Sequence, residues 1–120
     1  MGKIDSFQSL DVWKEGHKLV LMVYKITKEF PGEEKFGLVT QMRRAAVSIP
    51  ANIAEGFKRR GIQDKICFYN TAESSLEELK YYFILSKDLG YISSDNDLLT
   101  QTETVGRLLN GLVNSTERRL

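Results

Sequence analysis

Apolar residues recur at steps of three and four along four segments of this chain, which is the spacing of one face of an α helix. The first helix is predicted over about residues 11–30, and short breaks follow at residues 31–34, 61–63 and 90–94. Loops this short join helices that lie side by side and run in opposite directions. The stripes are Val12, Gly16, Leu19, Val20, Val23, Ile26, Thr27 and Phe30; Leu38, Met42, Ala45, Ile49, Ile53 and Phe57; Tyr69, Ala72, Leu76, Leu79 and Phe83; and Leu98, Thr102, Val105, Leu109 and Leu112. The pattern predicts an all-α protein, an antiparallel up-and-down four-helix bundle.

The size and composition of the chain predict one domain over residues 1–120 in the cytoplasm. With 120 residues and 42% hydrophobic content, the chain can bury a single core. No run approaches the roughly 18 apolar residues of a membrane span, no secretory signal is recognised at the N-terminus, and Cys67 has no partner for an intrachain disulfide. Residues 1–6 match a myristoylation pattern, but stable anchoring takes two signals. We therefore expect no lipid anchor and no membrane partner.

Pro50 lies inside the second predicted helix, but the helical spacing of apolar residues continues on both sides of it. A proline inside a helix removes one backbone hydrogen bond and costs on the order of 3 kcal/mol, usually with a kink. Ile49 and Ile53 nevertheless keep the apolar spacing set by Leu38 and Met42. We predict one helix bent at Pro50, the alternative being two short helices that meet at residues 48–50. The turn residue Gly90 predicts a left-handed C-cap after the third helix, and Ser93, Ser94 or Asp95 predicts an N-cap for the fourth.

A stripe of polar residues runs beside the apolar stripe of the second helix. Its members are spaced three or four apart, so neighbours can interact along the helix; they are Gln41, Arg44, Ser48, Asn52, Glu55 and Arg59. One interpretation is a solvated face with helix pairs such as Glu55 with Arg59. The other is that Ser48 and Asn52 satisfy backbone groups freed by Pro50, while Arg44 and Glu55 fix this helix to a neighbour.

Basic residues predict a surface for nucleic acid. Lys14, Lys18, Lys25 and Lys28 fall within about 80° of one another, opposite the apolar stripe of the first helix. Positive groups along a path suit phosphate, which they bind with release of counterions. The candidate residues for binding nucleic acid are Lys14, Lys18, Lys25, Lys28, Arg43, Arg44, Lys58, Arg59 and Arg60. The alternative is an ordinary solvated face, since the net charge is only +1, and no sequence-specific reading is expected.

The distribution of charge and of apolar residues indicates self-association. Residues 1–60 carry 11 Lys and Arg against 7 Asp and Glu, whereas residues 61–120 carry 6 against 9, so copies can attract each other head to tail. The third helix has an apolar arc wider than one bundle face requires, and such surfaces usually mark interaction sites. The predicted interface residues are Phe68, Tyr82, Leu85 and Leu89, with Cys67 beside them. The alternative is that this helix packs centrally against two others.

No constellation of residues indicates catalysis. His17 and Cys67 lack partners at ligand spacing, and Glu73, Glu77 and Glu78 lack the Glu-x-x-His motifs of bundles that hold two metal ions. Phosphate-binding glycine loops are missing as well. The sequence therefore predicts no enzyme, no cofactor, no metal site and no small-molecule substrate.

Three runs of residues resemble a known family. RRAAVSIPANIAEG at 43–56, FYNTAESSLEEL at 68–79 and KDLGYIS at 87–93 closely resemble the 23S ribosomal RNA intervening-sequence proteins, small bacterial four-helix bundles. The resemblance covers about residues 7–114, and the family is similar in fold to the accessory variability protein of diversity-generating retroelements. It implies a homopentamer that binds RNA or DNA and has no established catalytic activity. The family motif maps to Arg43, Arg44, Ser48, Pro50, Asn52, Glu55 and Gly56.

Two functions are compatible with these observations. The first is an oligomeric, non-enzymatic protein that binds nucleic acid through a basic surface without sequence specificity. The second is a structural or protein-recruiting assembly module with no role in nucleic-acid binding.

Overall fold

Four α helices make up most of the chain. The computed structural model describes residues 6–119, and in that range it contains no strand. Two short 3₁₀ segments, Phe7–Ser9 and Gly32–Glu34, precede the first and second helices. The helices are α1 (Asp11–Thr27), α2 (Leu38–Lys58), α3 (Ile62–Asp88) and α4 (Asn96–Glu117). The predicted all-α four-helix bundle is confirmed, whereas the myristoylation pattern lies almost entirely outside the described residues.

The helices pack in a closed cycle, each against two neighbours. α1 contacts α2 and α4, and α3 contacts α2 and α4, whereas among the described residues the diagonal pairs do not meet. Gly16 of α1 lies beside Ile49 of α2, while Thr27, eleven residues later, bonds to Arg43. Adjacent helices therefore run in opposite directions, as the short loops predict. None of the helices in the range 6–119 is long and apolar enough to cross a membrane.

The core consists of the predicted apolar stripes. Leu19, Met42, Ile53, Phe83 and Leu109 have no exposed surface, and they represent all four helices. Three members of the stripes, Ile26, Phe57 and Leu112, are only half-buried. The three-and-four spacing thus identified the inward face of every helix.

The end of α1 lies earlier than predicted. The helix stops at Thr27 and residues 28–30 form a turn, not the last turn of a helix reaching residue 30. Phe30 precedes Pro31, whose ring disfavours helical geometry at the residue before it. Phe30 is buried all the same, with its ring 5.2 Å from that of Tyr91 in the loop between α3 and α4.

α2 passes through Pro50 as one helix. It is continuous over Leu38–Lys58 with Pro50 buried inside it, so the alternative of two short helices meeting at residues 48–50 is wrong. The bend at Pro50 stays a prediction. Packing of Pro50 against α1, where it lies 3.9 Å from the position of a Cβ on Gly16, offsets part of the cost of the missing hydrogen bond.

The loop between α3 and α4 has the predicted turn residues. Gly90 has a φ of 79°, and the amide of Tyr91 donates to the carbonyl of Ser86 at 2.9 Å, which is the pattern of a glycine C-cap. At the start of α4, the hydroxyl of Ser94 accepts from the amide of Asn96 at 3.2 Å. Asp95 occupies the N-cap position without a side-chain cap bond and instead lies 3.9 Å from the ammonium of Lys87.

Candidate nucleic-acid interface

Four lysines, three of them on α1 and the fourth directly after its end, project from the outer side of the bundle. Lys14, Lys18, Lys25 and Lys28 are all exposed. Within residues 6–119, the one ion pair closer than 4.0 Å joins Lys87 to Asp95, so no carboxylate of this range neutralises the four ammonium groups at that distance. We call these four residues the lysine ridge. At 1.5 Å per residue the ridge spans roughly 21 Å, and its charges are accessible to an external anion.

The two adjacent arginines of α2 occupy different environments. Arg44 is exposed. Arg43 is half-buried, its guanidinium lies 4.5 Å from the centre of the Tyr24 ring, and its Nε donates to Oγ1 of Thr27 at 3.0 Å. Thr27 in turn donates to the carbonyl of Val23 at 2.7 Å. Arg43 therefore joins α2 to α1, and only Arg44 of the pair is fully presented to solvent.

The turn between α2 and α3 carries three consecutive exposed cations, Lys58, Arg59 and Arg60. The guanidinium of Arg59 lies 4.6 Å from the centre of the Phe68 ring on α3. A cleft of about 450 Å³ opens here, which we call the turn cleft; its lining residues are Glu55, Lys58, Arg59, Arg60, Gly61 and Asp64. Glu55 and Arg59 form no ion pair within 4.0 Å, so the stacking of Arg59 on Phe68 replaces the pair that the spacing suggests.

Lys65 belongs to the same end of the bundle but was absent from the predicted interface. Its ammonium donates to the carbonyl of Phe57 at 2.7 Å and to that of Gly56 at 3.3 Å, and so caps the last turn of α2. Burial, followed by the positive charge of Arg119 near the end of α4, lowers the pKa of Lys65. The spacing of lysines within α3 does not indicate these contacts, because the two carbonyls belong to α2 and Arg119 follows α4.

The family motif holds α2 against α3. Oγ of Ser75 on α3 donates to Oγ of Ser48 at 2.9 Å, and the side-chain amide of Asn52 donates to the same Ser48 oxygen at 2.9 Å. The amide also donates to the Ser48 carbonyl at 2.7 Å, whereas the carbonyl that Pro50 leaves without its helical donor is that of Ala46. Ser48 therefore ties α2 to α3, with Asn52 supporting it from within α2, and neither side chain satisfies the Ala46 carbonyl.

Gly56 marks the closest approach of the two helices. A Cβ at this position would lie 2.6 Å from Cε1 of Tyr69 and 3.0 Å from Cβ of Phe68, well inside van der Waals contact. Glu55, beside it, is exposed and forms no ion pair with a described residue. Of the motif positions, Ser48, Asn52 and Gly56 thus have direct packing roles, while Arg44 and Glu55 remain on the surface.

The apolar arc predicted on α3 is partly covered by the chain's own residues. Phe68 lies under Arg59, and Tyr82 and Leu85 are half-buried against the core. Leu89 remains 49% exposed. Sequence spacing missed two residues of the same helix, Tyr81 and Ile84, which are 57% and 41% exposed. We call the exposed apolar residues Tyr81, Ile84 and Leu89, which lie on α3 or directly after it, the α3 face; Glu77, Glu78, Lys87 and Asp88 are also exposed on this helix.

A second apolar surface lies between α1 and α2. The rings of Trp13 and His17 stack at 5.2 Å with an angle of 7° between them, and Phe7 packs edge-on against Trp13. We call this depression the α1–α2 groove; its lining residues are Phe7, Trp13, His17, Val20, Val47, Pro50, Ala51 and Ala54. At one end it continues to Arg43 and Arg44, and at the other to Lys58. The groove is apolar along its length and basic at both ends.

Tyr82 forms a charge-assisted hydrogen bond on α3, and this bond predicts how the Tyr82 phenol titrates. Its phenol donates to Oε2 of Glu78; this bond, followed by desolvation, raises the pKa of Tyr82 to about 12. A raised pKa means that the bond stabilises the fold fully below pH 10, and that this contribution is lost as the pH rises from 10 to 12. In an absorbance titration of the phenolates, the Tyr82→Phe variant should lack a step near pH 12. The Glu78→Gln variant should move that step towards pH 10, and an unchanged step in Glu78→Gln would contradict the assignment.

The described residues contain no arrangement typical of a metal centre. In the range 6–119, no group of three or more His, Cys, Asp and Glu side chains is arranged to hold a metal ion. His17 packs on Trp13, and Cys67 is an exposed free thiol. The lysine ridge, the turn cleft and the two apolar surfaces are the candidate binding surfaces described above.

The four packed helices place the chain among the small four-helix-bundle proteins. The profile of the 23S rRNA-intervening sequence protein family matches residues 8–111, and the chain belongs to this family. No curated protein matches the chain. Among solved structures, a protein of unknown function from Bacteroides thetaiotaomicron VPI-5482, described as from the S23 ribosomal protein family, is 21% identical with a TM-score of 0.76. The alignment covers 85% of this chain and 97% of that one, and at this identity it supports the fold alone.

Proposed function

We propose that this protein is a non-enzymatic, self-associating protein that binds nucleic acid through a basic surface without reading its sequence. The observation that carries the proposal is the lysine ridge, four exposed ammonium groups on one side of α1 with no carboxylate of the described chain within 4.0 Å. Charges in this state are free to replace the counterions of a phosphate backbone. Contacts to phosphates carry no direct sequence information, which agrees with binding that does not discriminate between sequences.

Binding through the ridge should depend steeply on salt. If the four ridge lysines each neutralise one phosphate of a duplex, the affinity should fall about a hundredfold between 50 and 200 mM salt. The variant Lys18→Glu/Lys25→Glu should bind at least about tenfold more weakly at 100 mM salt, with a salt slope smaller by about two. Gel shifts or fluorescence anisotropy on a labelled 20-base-pair duplex would measure both quantities.

A matched control separates the ridge from net charge. Lys35→Glu/Arg107→Glu changes the same number of charges at two exposed positions outside α1. It should lose much less affinity than the ridge variant. Equal losses in the two variants, or wild-type binding by the ridge variant with an unchanged oligomer, would overturn the role of the ridge.

Self-association is the second part of the proposal, and complementary surfaces support it. The α1–α2 groove is apolar with cations at both ends, whereas the α3 face is apolar with Glu77, Glu78 and Asp88 on the same helix. The two surfaces lie on different sides of one chain, so a contact between them is heterologous and closes into a ring if the rotation permits. The five-membered ring that the family resemblance implies would have a light-scattering mass of five times the 13.7 kDa chain.

A structural or protein-recruiting module is the alternative function, and the exposed α3 face is the observation that favours it. Tyr81, Ile84 and Leu89 form an apolar surface on a helix that already packs against two others. Under this alternative the assembly forms but neither duplex nor single strands bind at low salt. The same gel-shift experiment, run at low salt on the 20-base-pair duplex and on one of its single strands, therefore decides between the two functions.

A further inference from the structure

The turn cleft combines a stacked arginine with an opening of nucleotide size. The guanidinium of Arg59 lies 4.6 Å from the centre of the Phe68 ring. Arg59 is also exposed and lines the cleft, so a ligand in the cleft can reach it. The volume of about 450 Å³ lies within the range of about 300–1,000 Å³ typical of small-ligand clefts. In proteins that bind single strands, unpaired bases stack on aromatic rings or on the planes of arginine guanidinium groups.

Three exposed cations line the cleft, Lys58 at the end of α2 and Arg59 and Arg60 in the turn that follows. No described carboxylate lies within 4.0 Å of their charged groups. These charges are therefore available to the phosphates of a strand that enters the cleft.

The two carboxylates of the cleft favour binding of a base over binding of a second phosphate. Glu55 and Asp64 line the cleft together with the cations and would repel a phosphate placed between them. A carboxylate does accept hydrogen bonds from the exocyclic amino group of a base, as in protein contacts to cytosine. The lining therefore offers carboxylate acceptors for the amino group of a base and cations for the phosphates that flank it.

We propose that the turn cleft binds an unpaired nucleotide, with its base stacked on Arg59, so that the protein prefers single-stranded over duplex nucleic acid at this end of the bundle. This proposal rests on the proposed function, because it specifies the form of nucleic acid that the basic surface binds. A paired base in a duplex is stacked between its neighbours and cannot enter the cleft. The lysine ridge, in contrast, contacts backbone phosphates in either form.

The test is a charge-preserving substitution measured on two probes. Arg59→Lys keeps the positive charge but removes the planar group, and we measure anisotropy with a labelled 12-nucleotide DNA strand of adenine and cytosine and with its duplex. The affinity for the single strand should fall about fivefold or more, whereas the affinity for the duplex should stay within twofold. Phe68→Leu, which removes the aromatic support of Arg59, should act in the same direction after its thermal melt confirms a folded bundle.

Arg107→Lys is the matched control. It makes the same chemical change at an exposed arginine of α4 that does not line the cleft, and it should leave both affinities within twofold. Equal losses in Arg59→Lys and Arg107→Lys, or single-strand binding unaltered by Arg59→Lys, would overturn the stacking site and leave the ridge proposal standing. Absence of binding to both probes by the wild-type protein at low salt would instead overturn the proposed function itself.

Discussion

Replacing Gly56 with alanine should lower the free energy of unfolding by about 1–3 kcal/mol, the usual cost of forcing an extra carbon into a packed interior. The new Cβ would lie 2.6 Å from Cε1 of Tyr69, whose ring is 1% exposed and has little room to move, and 3.0 Å from Cβ of Phe68. Alanine has a higher helix propensity than glycine by about 1 kcal/mol, so the steric cost has to exceed that gain. Urea denaturation followed by circular dichroism would measure the difference.

Gly111→Ala is the control for this prediction. Gly111 also lies inside a helix, α4, but a Cβ there would meet no neighbouring atom within 4 Å. The substitution should therefore stabilise the protein by up to about 1 kcal/mol through helix propensity alone. Stabilisation by both alanine variants would show that α2 and α3 can separate at Gly56 without cost and would contradict the close packing described here.

Replacing Ala51 with glutamate should convert the proposed assembly into monomers. Ala51 is exposed in a single chain and lines the middle of the α1–α2 groove, between its two basic ends. In the proposed contact this position is covered by the α3 face of the next copy, so a carboxylate here would be buried without a partner, at a cost of several kcal/mol. Light scattering should then give the 13.7 kDa mass of one chain, while the helical content stays unchanged.

A glutamate elsewhere on the surface provides the comparison. Thr100→Glu introduces the same charge at an exposed position of α4, outside both proposed contact surfaces, and should retain the wild-type mass. Retention of the wild-type mass by Ala51→Glu would exclude the groove as a contact surface. Dissociation of both variants would show that net charge, not the groove, controls assembly.

The fold was largely predictable because helical periodicity is a local signal. The buried residues of α2 lie where the spacing from Leu38 to Ile53 puts them, and Pro50 did not divide that helix because the inward face continues on both sides of it. The end of α1 was misplaced because Phe30 is buried without being helical. Burial and helical geometry usually coincide, and the apolar pattern alone does not separate them.

The candidate site was less predictable because its geometry depends on contacts between helices. The exposure of Lys14, Lys18 and Lys25 follows from helical angles within α1, whereas their role in binding stays a prediction. The separate roles of Arg43 and Arg44 depend on Tyr24 and Thr27 of another helix. Likewise, the surroundings of Lys65 depend on the Phe57 carbonyl in the last turn of α2 and on Arg119 after the end of α4.

The bond between Ser48 and Ser75 and the notch at Gly56 have a consequence for motion. They lie eight residues apart on α2, and together they admit one axial alignment of α2 with α3, because a slip of one turn, about 5.4 Å, would break the first and place another side chain against Tyr69 at the second. We therefore expect α2 and α3 to move as one rigid hairpin. Any rearrangement that accompanies assembly or binding should appear as rotation of α1 or α4 about that hairpin, with the turn cleft carried along undistorted.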